Sequence, residues 1–443
     1  MTSIRTNAHV ADAAFRARRW RVATIAGAIA ASALMAACDS NELLDVETPA
    51  VVPVSMIDDP ANAVLTVNSV AADLGCALGA MIGVEGLISD ELADAQLGAA
   101  AWPYDRRDAN VQTNGIYGTG PCTSNQNPGV YTPLSTARWA ADHAIQNLTE
   151  WLDAEVPNRQ SLLSRAALYA GFSYALLGMS MCEAAFDLGP QVDQQAMFTL
   201  AEERFTQAIT AAQAAGTGTE ATGVRNAAYV GRARVRLFLG NKTGAATDAA
   251  LVPAGFVLNV ANDASDNRLY NRIFTMTAQN GLYTVETTSR NLTTENGQVD
   301  PRSASTQTTT NPADNRAVIF VPNKYAAGYA APTRVASYTE AQLILAEAQG
   351  GTSAVTIINA LRAAVNLQPY TGATTAAAIQ NLIIDERRRA LFAEGFRNYD
   401  MQRFTIPFNP PVGASFPNKG GSYGDTRCLP LPDIERFNNP NIT

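Results

Sequence analysis

Gln160-Ser161-Leu162-Leu163-Ser164-Arg165-Ala166-Ala167-Leu168-Tyr169-Ala170-Gly171-Phe172-Ser173-Tyr174-Ala175-Leu176-Leu177-Gly178-Met179-Ser180-Met181 is the stretch that decides the fold. Leu162, Leu163, Ala166, Leu168, Tyr169, Phe172, Leu176 and Leu177 recur at helical spacing, so the segment reads as a helix with a broad apolar face. Its neighbours read alike. Helices are expected from about Leu134 to Leu152, ending before Pro157, then over Thr199 to Ala215 and Val224 to Leu239. A short alanine helix follows Thr243. A helix that is apolar on one face must bury it, and short connections make its sequence neighbours the partners.

Antiparallel helix pairs with alanine and glycine at the close-packing points have the rhythm of tetratricopeptide repeats, whose unit is about 34 residues. Such pairs stack side by side, so several are expected. The spacing therefore predicts a mainly α chain with a helix-pair scaffold over about 134–250 and again over about 335–403. Upstream, Pro60 to about Leu92 is helical, with Val64, Leu65, Val67, Val70, Ala71 and Leu74 on its apolar face. Residues 98–133 are rich in Gly, Pro, Asn and Thr and read as loop. Residues 251–332 break the helical rhythm and form an inserted, loop-rich lobe with short strands. Within it, Asn280-Gly281 lies between Ile273–Met276 and Leu282–Val285, which predicts a hairpin. Ala317–Val321 is a further strand candidate. Helices resume at about 337–349, 353–365 and 375–394, and the proline-bearing tail from Pro407 is irregular.

The amino terminus gives the destination. Five arginines (Arg5, Arg16, Arg18, Arg19, Arg21) precede an uncharged run from Val22 to Ala37, which is shorter than the ~20 residues of a spanning helix. Residues 1–37 thus read as a signal peptide. Its end, Leu34-Met35-Ala36-Ala37-Cys38, resembles the bacterial lipobox, which implies a lipid on Cys38 and an extended tether over 38–59. With five arginines and Asp12 removed, the formal charge moves from −8 to −12 over the 406 residues that remain. Nothing in so acidic a chain neutralises phosphates, which argues against nucleic acid. Membrane attachment then rests on the lipid alone.

Apart from Cys38 the cysteines are Cys76, Cys122, Cys182 and Cys428. Four cysteines in an oxidising compartment allow three pairings. Cys76–Cys122 with Cys182–Cys428 is the favoured one, because the second bridge closes a very long loop. None lies at metal-binding spacing. The single histidine after the leader, His143, rules out multi-histidine zinc sites and sits in an alanine-rich helical stretch. No nucleophile elbow, phosphate loop or dinucleotide fingerprint is present. The residues predict no catalytic site, no cofactor and no metal.

The most specific text is Asp385-Glu386-Arg387-Arg388-Arg389-Ala390-Leu391-Phe392-Ala393-Glu394-Gly395-Phe396-Arg397-Asn398-Tyr399-Asp400-Met401-Gln402-Arg403. It resembles the carboxyl-terminal signature of the SusD/RagB family, E-R-R-x-E-L-x-x-E-G-x-R-x-x-D-L-x-R. Glu386, Arg387, Arg388, Leu391, Glu394, Gly395, Arg397, Asp400 and Arg403 match, while Ala390 and Met401 depart. Leu429-Pro430-Leu431-Pro432-Asp433-Ile434-Glu435 and Asn438-Asn439-Pro440-Asn441 resemble the family's closing segments. Cys38, Leu43-Leu44-Asp45 and Pro49 resemble its mature start. Physically the signature reads as structural. Glu386 with Arg389, and Glu394 with Arg397, are at i,i+3 spacing, and Gly395 suits a left-handed turn. The alternative of a catalytic or phosphate site is the weaker reading, since arginine–carboxylate networks more often lock a fold.

The resemblance implies a SusD-like α superhelix forming a single domain over 60–443. It also implies an outer-membrane lipoprotein facing the cell surface. Its partner would be a SusC-like TonB-dependent transporter, to which it hands a captured glycan, oligosaccharide or peptide. Sugar faces stack on aromatic rings while hydroxyls pair with polar side chains. Loop position and residue type nominate Trp102, Tyr104, Tyr117 and Tyr131 in the first loop, and Tyr270, Tyr283, Tyr325 and Tyr329 in the insert. Only 7% of residues are aromatic, so a small oligosaccharide or peptide is as compatible as a long polysaccharide. Two other classes compete. A tetratricopeptide-like scaffold lipoprotein would organise envelope proteins and would not need the aromatic-bearing insert. A glycan hydrolase would need two carboxylates facing each other across a cleft.

Overall fold

The computed structural model describes residues 53–96, 102–122, 129–312, 314, 318–417 and 420–442. The leader 1–37, Cys38 and most of the tether lie outside the described residues. Ile57–Thr443 forms one unit, and it is built around one long apolar helix, α1 (Ala63–Ile88). The Asp59 side chain accepts the Ala61 N–H (2.9 Å) just before it. By length and composition α1 could cross a membrane, but Val67, Val70, Leu74, Met81, Ile82 and Ile88 are buried in protein. It is a core helix.

After strand β1 (Leu92–Asp94) come two short helices, α2 (Trp102–Asp105) and α3 (Val111–Tyr117). The expected loop over 98–133 therefore contains helix. The cause is local: Asn110 accepts the N–H groups of Gln112 and Thr113 (3.0 Å each), and its own N–H donates to Thr113 Oγ1 (2.8 Å). A capping box of this kind satisfies donors that a helix start would otherwise leave exposed.

The scaffold follows as α4 (Tyr131–Glu150), α5 (Arg159–Ser180), α6 (Gln194–Ala214), α7 (Thr219–Phe238) and α8 (Lys242–Ala249), each packed on its sequence neighbour. Close approach is set by small residues. Phe205 of α6 fills the space left by Gly171 of α5 and Gly231 of α7. A Cβ at either glycine would come within 2.7 Å or 2.3 Å of its ring. Phe172 meets the same ring edge-on at 4.9 Å. A hairpin of β2 (Glu183–Ala185) and β3 (Gln191–Asp193) joins α5 to α6. Asp193 accepts the Ala196 N–H (2.8 Å), which starts α6 five residues before the expected Thr199.

The insert supplies β4 (Val257–Val260), β5 (Tyr283–Val285), β6 (Ser305–Gln307), β7 (Phe320–Pro322) and β8 (Thr333–Ser337). Its antiparallel pairs are β1 with β5, β4 with β8, and β6 with β7. The hairpin expected across Asn280-Gly281 does not form. Arg272–Phe274 is helical and runs into a π-helix over Thr275–Gln279. Asn271 caps it by accepting the Phe274 N–H (2.9 Å), and the Thr275 and Thr277 hydroxyls donate four residues back. Those bonds, with Ile273 and Met276 buried, outweigh the turn preference, and β5 takes the distant β1 as partner instead.

The remaining helices are α9 (Tyr338–Gln349), α10 (Gly351–Ala363), α11 (Ala376–Ala390) and α12 (Arg397–Arg403), with α13 (Asp433–Asn438) in the tail that was expected to be irregular. Ala346, Ala354, Ile358, Ile379, Leu382 and Ile383 make a second small core among α9, α10 and α11. The helix expected over 375–394 stops at Ala390, because Ala393 (φ 53°) and Gly395 (φ 81°) are left-handed. Gly395 also needs its missing side chain: a Cβ would lie 2.8 Å from Met81 Sδ of α1.

Two disulfides form, Cys76–Cys122 and Cys182–Cys428. The second fastens the tail to the end of α5. Backbone bonds flank it, from Leu429 N–H to Ser180 O (2.7 Å) and from Cys182 N–H to Leu429 O (2.8 Å). Replacing Cys182 and Cys428 together by serine is expected to lower unfolding free energy by about 2–4 kcal/mol, through loss of the loop constraint on the unfolded chain. Urea unfolding of the oxidised protein measures this, and an unchanged midpoint contradicts it.

Candidate functional site

The signature residues form an interior lattice. Glu386 is fully buried and holds three arginines: Arg302 (2.5 Å), Arg389 (2.8 Å) and Arg362 (3.1 Å). Asp300 pairs with Arg302 (2.6 Å), and Glu295 with Arg362 (2.7 Å). Burial alone would raise the Asp400 carboxyl, but Arg387 (2.8 Å) and Arg403 (2.8 Å) hold it below the usual range. Asp90 is likewise held low, Arg397 (2.8 Å) outweighing its burial. The Glu386–Arg389 pair forms as its spacing predicts. The Glu394–Arg397 pair does not, because the left-handed turn at Gly395 separates them. Glu394 pairs instead with Lys324 (2.7 Å) and Arg334 (3.1 Å). Each of these carboxylates is already met by arginine or lysine, so the lattice holds α11, α12 and the insert together, as arginine–carboxylate networks that lock a fold do.

Two further buried carboxyls are pushed up by their burial. Burial pushes Glu85 of α1 up to about 8, although Asn398 Nδ2 donates to it (2.7 Å). Burial also raises Glu91 to about 7, where the Ala393 N–H donates to it (3.1 Å). Both face α12 and its preceding turn. Neither lines a described cavity.

The eight nominated aromatics separate into two groups. Tyr104, Tyr131, Tyr283 and Tyr325 are buried and are corrected to core residues. The Tyr131 hydroxyl donates to Ala185 O (3.4 Å), and that of Tyr325 to Ala393 O (2.8 Å). Gly83 of α1 leaves room for the Tyr283 ring. Rings enclosed on this scale have no face for a ligand.

Trp102, Tyr117, Tyr270 and Tyr329 are half-buried. Tyr117 leans on the main core, and Trp102 belongs with the Arg106 guanidinium, which also lies over Phe416 at 5.8 Å. Tyr270 and Tyr329 come together, stacked with centroids 4.0 Å apart, and Phe274 meets Tyr329 edge-on at 5.1 Å. Buried Asn271 fixes the pair: its N–H donates to Tyr329 O (2.7 Å) and its amide to Ala331 O (2.9 Å). One residue away, Leu269 lines a 380 Å³ cavity with Asn68, Arg165, Tyr169 and Asn259. Arg165 donates to Asn68 Oδ1 (2.7 Å) there. The cavity offers amide, guanidinium and phenol groups and the next residue in the chain after Leu269 belongs to a stacked aromatic pair, the kinds of group that a small polyhydroxylated molecule meets. Sequence reading missed Phe274, Tyr169 and Asn259. Phe274 stands four residues after Tyr270, a helical signal hidden by the expectation of a strand.

Among the described residues no cluster of His, Cys, Asp and Glu has the makings of a metal site. Residues 256–427, the insert together with the signature helices, match the model of the SusD family. Over that stretch the chain resembles the SusD family. Its fold agrees with that of a SusD superfamily protein from Bacteroides vulgatus (TM-score 0.64, 16% identity, covering 87% of this chain and 98% of that one). A SusD-like carbohydrate binding protein from the same organism gives TM-score 0.64 at 15% identity, covering 87% and 97%. A laminarin binding SusD-like protein gives 0.61 at 16%, covering 85% and 98%. No curated protein matches the sequence.

The raised Glu85 carboxyl has a thermodynamic consequence. The folded state keeps a proton on Glu85 up to about pH 8, while the unfolded carboxyl loses it near its ordinary value. Stability therefore falls as pH rises between those values, by up to about 1.4 kcal/mol per pH unit. Glu85→Gln, neutral at every pH, should flatten that decline in denaturant titrations. An unaltered slope overturns the assignment of the buried proton to Glu85.

Proposed function

We propose that this SusD-like protein is a lipoprotein, lipidated on Cys38 and facing outward from the outer membrane. It captures a carbohydrate and delivers it, unaltered, to a SusC-like TonB-dependent barrel transporter. The reading rests on the family match over 256–427, carried on a chain whose fold follows SusD-like structures along nearly their whole length. Carbohydrate is favoured over peptide because two of the similar structures are described as binding carbohydrate or laminarin. The stacked Tyr270–Tyr329 pair has the chemistry for it. Two arginines near it are already paired to acids, Arg165 with Glu220 and Arg268 with Asp73.

The full protein, extracted from native membranes through a carboxyl-terminal tag, should bring a TonB-dependent barrel with it in stoichiometric amount. Calorimetry against laminarin and a glycan panel should show saturable binding without product. Tyr270→Ala and Tyr329→Ala should each weaken that binding about tenfold. Recovery with other envelope proteins and no barrel would favour the scaffold alternative. Product release would favour the hydrolase.

A further inference from the structure

A second cleft, on the helical scaffold, has the chemistry of a ligand site and belongs to none of the features above. It measures 490 Å³, and its lining includes Arg138, Trp139, Asp142, His143, Asp187 and Arg204. Its volume lies in the range of small-molecule sites, roughly 300–1,000 Å³. Trp139 of α4 is 42% exposed. An indole left that open keeps part of its ring surface available to a ligand. It is nevertheless held in place: His143, one turn on, stacks on it almost coplanar (9°, centroids 5.0 Å apart) and is itself anchored to Asp58 (2.7 Å). Side-chain freedom has been removed before any ligand arrives, so binding would cost less entropy.

The polar wall opposite is also preset. Asp142 accepts the Tyr174 hydroxyl (2.6 Å) and Arg204 Nε (2.8 Å), and Arg138 donates to Asp187 (2.6 Å). Both arginines are already neutralised by carboxylates. An anionic ligand would have to compete with those pairs and would also meet Glu150, which lines the cleft and accepts Gln146 Nε2 (3.2 Å); a cationic one would have to displace the arginines from Asp142 and Asp187. A neutral ligand with many hydroxyls meets neither penalty. It can donate to the remaining carboxylate lone pairs, accept from guanidinium and Gln146 N–H groups, and lay an apolar C–H face on the indole.

We propose that this α4–α5–α6 cleft is a second carbohydrate site, taking one or two neutral hexose units with Trp139 as its stacking platform. It shares only its ligand class with the function proposed above and stands on its own residues. The test uses the full protein labelled with 5-fluorotryptophan, the Trp139 resonance being assigned by its loss in Trp139→Phe. Glucose, galactose, mannose, maltose, cellobiose and laminaribiose are titrated to about 10 mM, the range of weak single-sugar affinities. The Trp139 resonance should shift saturably with at least one of them, and Arg204→Ala should weaken that affinity about fivefold or more. The shift should persist in Tyr270→Ala, which removes the other platform. Absence of a saturable Trp139 shift across the panel overturns this proposal and leaves the Tyr270–Tyr329 site untouched. A Trp139 shift together with Tyr270 and Tyr329 variants of undiminished glycan affinity would support this cleft and remove the other.

Discussion

Glu386 is the constraint on which the carboxyl-terminal half depends. A carboxylate with no solvent exposure would be prohibitively costly unless compensated on every side. Arg302 of the insert, Arg362 of α10 and Arg389 of α11 supply that compensation. The lattice therefore fixes three segments far apart in sequence relative to one another, because none can leave without stranding a buried charge. Removing one partner of such a pair typically costs about 3–5 kcal/mol, more than any single apolar contact in the small α9–α10–α11 core. Asp400, Asp90 and Glu394 repeat the device along α12 and against α1 and the insert.

That rigid frame explains where binding features can occur. Inside it, Tyr104, Tyr131, Tyr283 and Tyr325 are consumed as core and as hydroxyl ties between segments. The Tyr325 bond to Ala393 O, for instance, clamps the insert to the left-handed turn at Gly395. At its margin, Tyr270 and Tyr329 are held by Asn271 yet half-exposed, which is how a preorganised stacking surface must be built. Trp139 achieves the same on the scaffold through His143 and Asp58.

The helix-pair scaffold was legible because its signal is periodic and local: α5 was expected over about 160–181 and spans Arg159–Ser180. The lattice was legible in kind, from the density of arginine and acid after Asp385, but not in its pairings. The spacing Glu394 to Arg397 says nothing of a left-handed break between them. The region 273–276 was misread as a strand because Ile, Phe and Met fit either period, and the deciding bonds come from Asn271 and the threonine hydroxyls. Half the nominated aromatics proved buried because residue type and loop context do not carry exposure. Trp139 was passed over for the converse reason, lying in a helix where rings are usually core.

The signature acts as a lock on the fold rather than as a ligand site. Hydrogen–deuterium exchange on Glu386→Gln, alongside its glycan affinity, tests this most directly. Protection should fall together in residues 295–303, in α10 and in α11, while the affinity of the molecules that remain folded is retained. Protection unchanged, or lost in α11 alone, together with abolished glycan binding, would contradict it and move the site into the lattice.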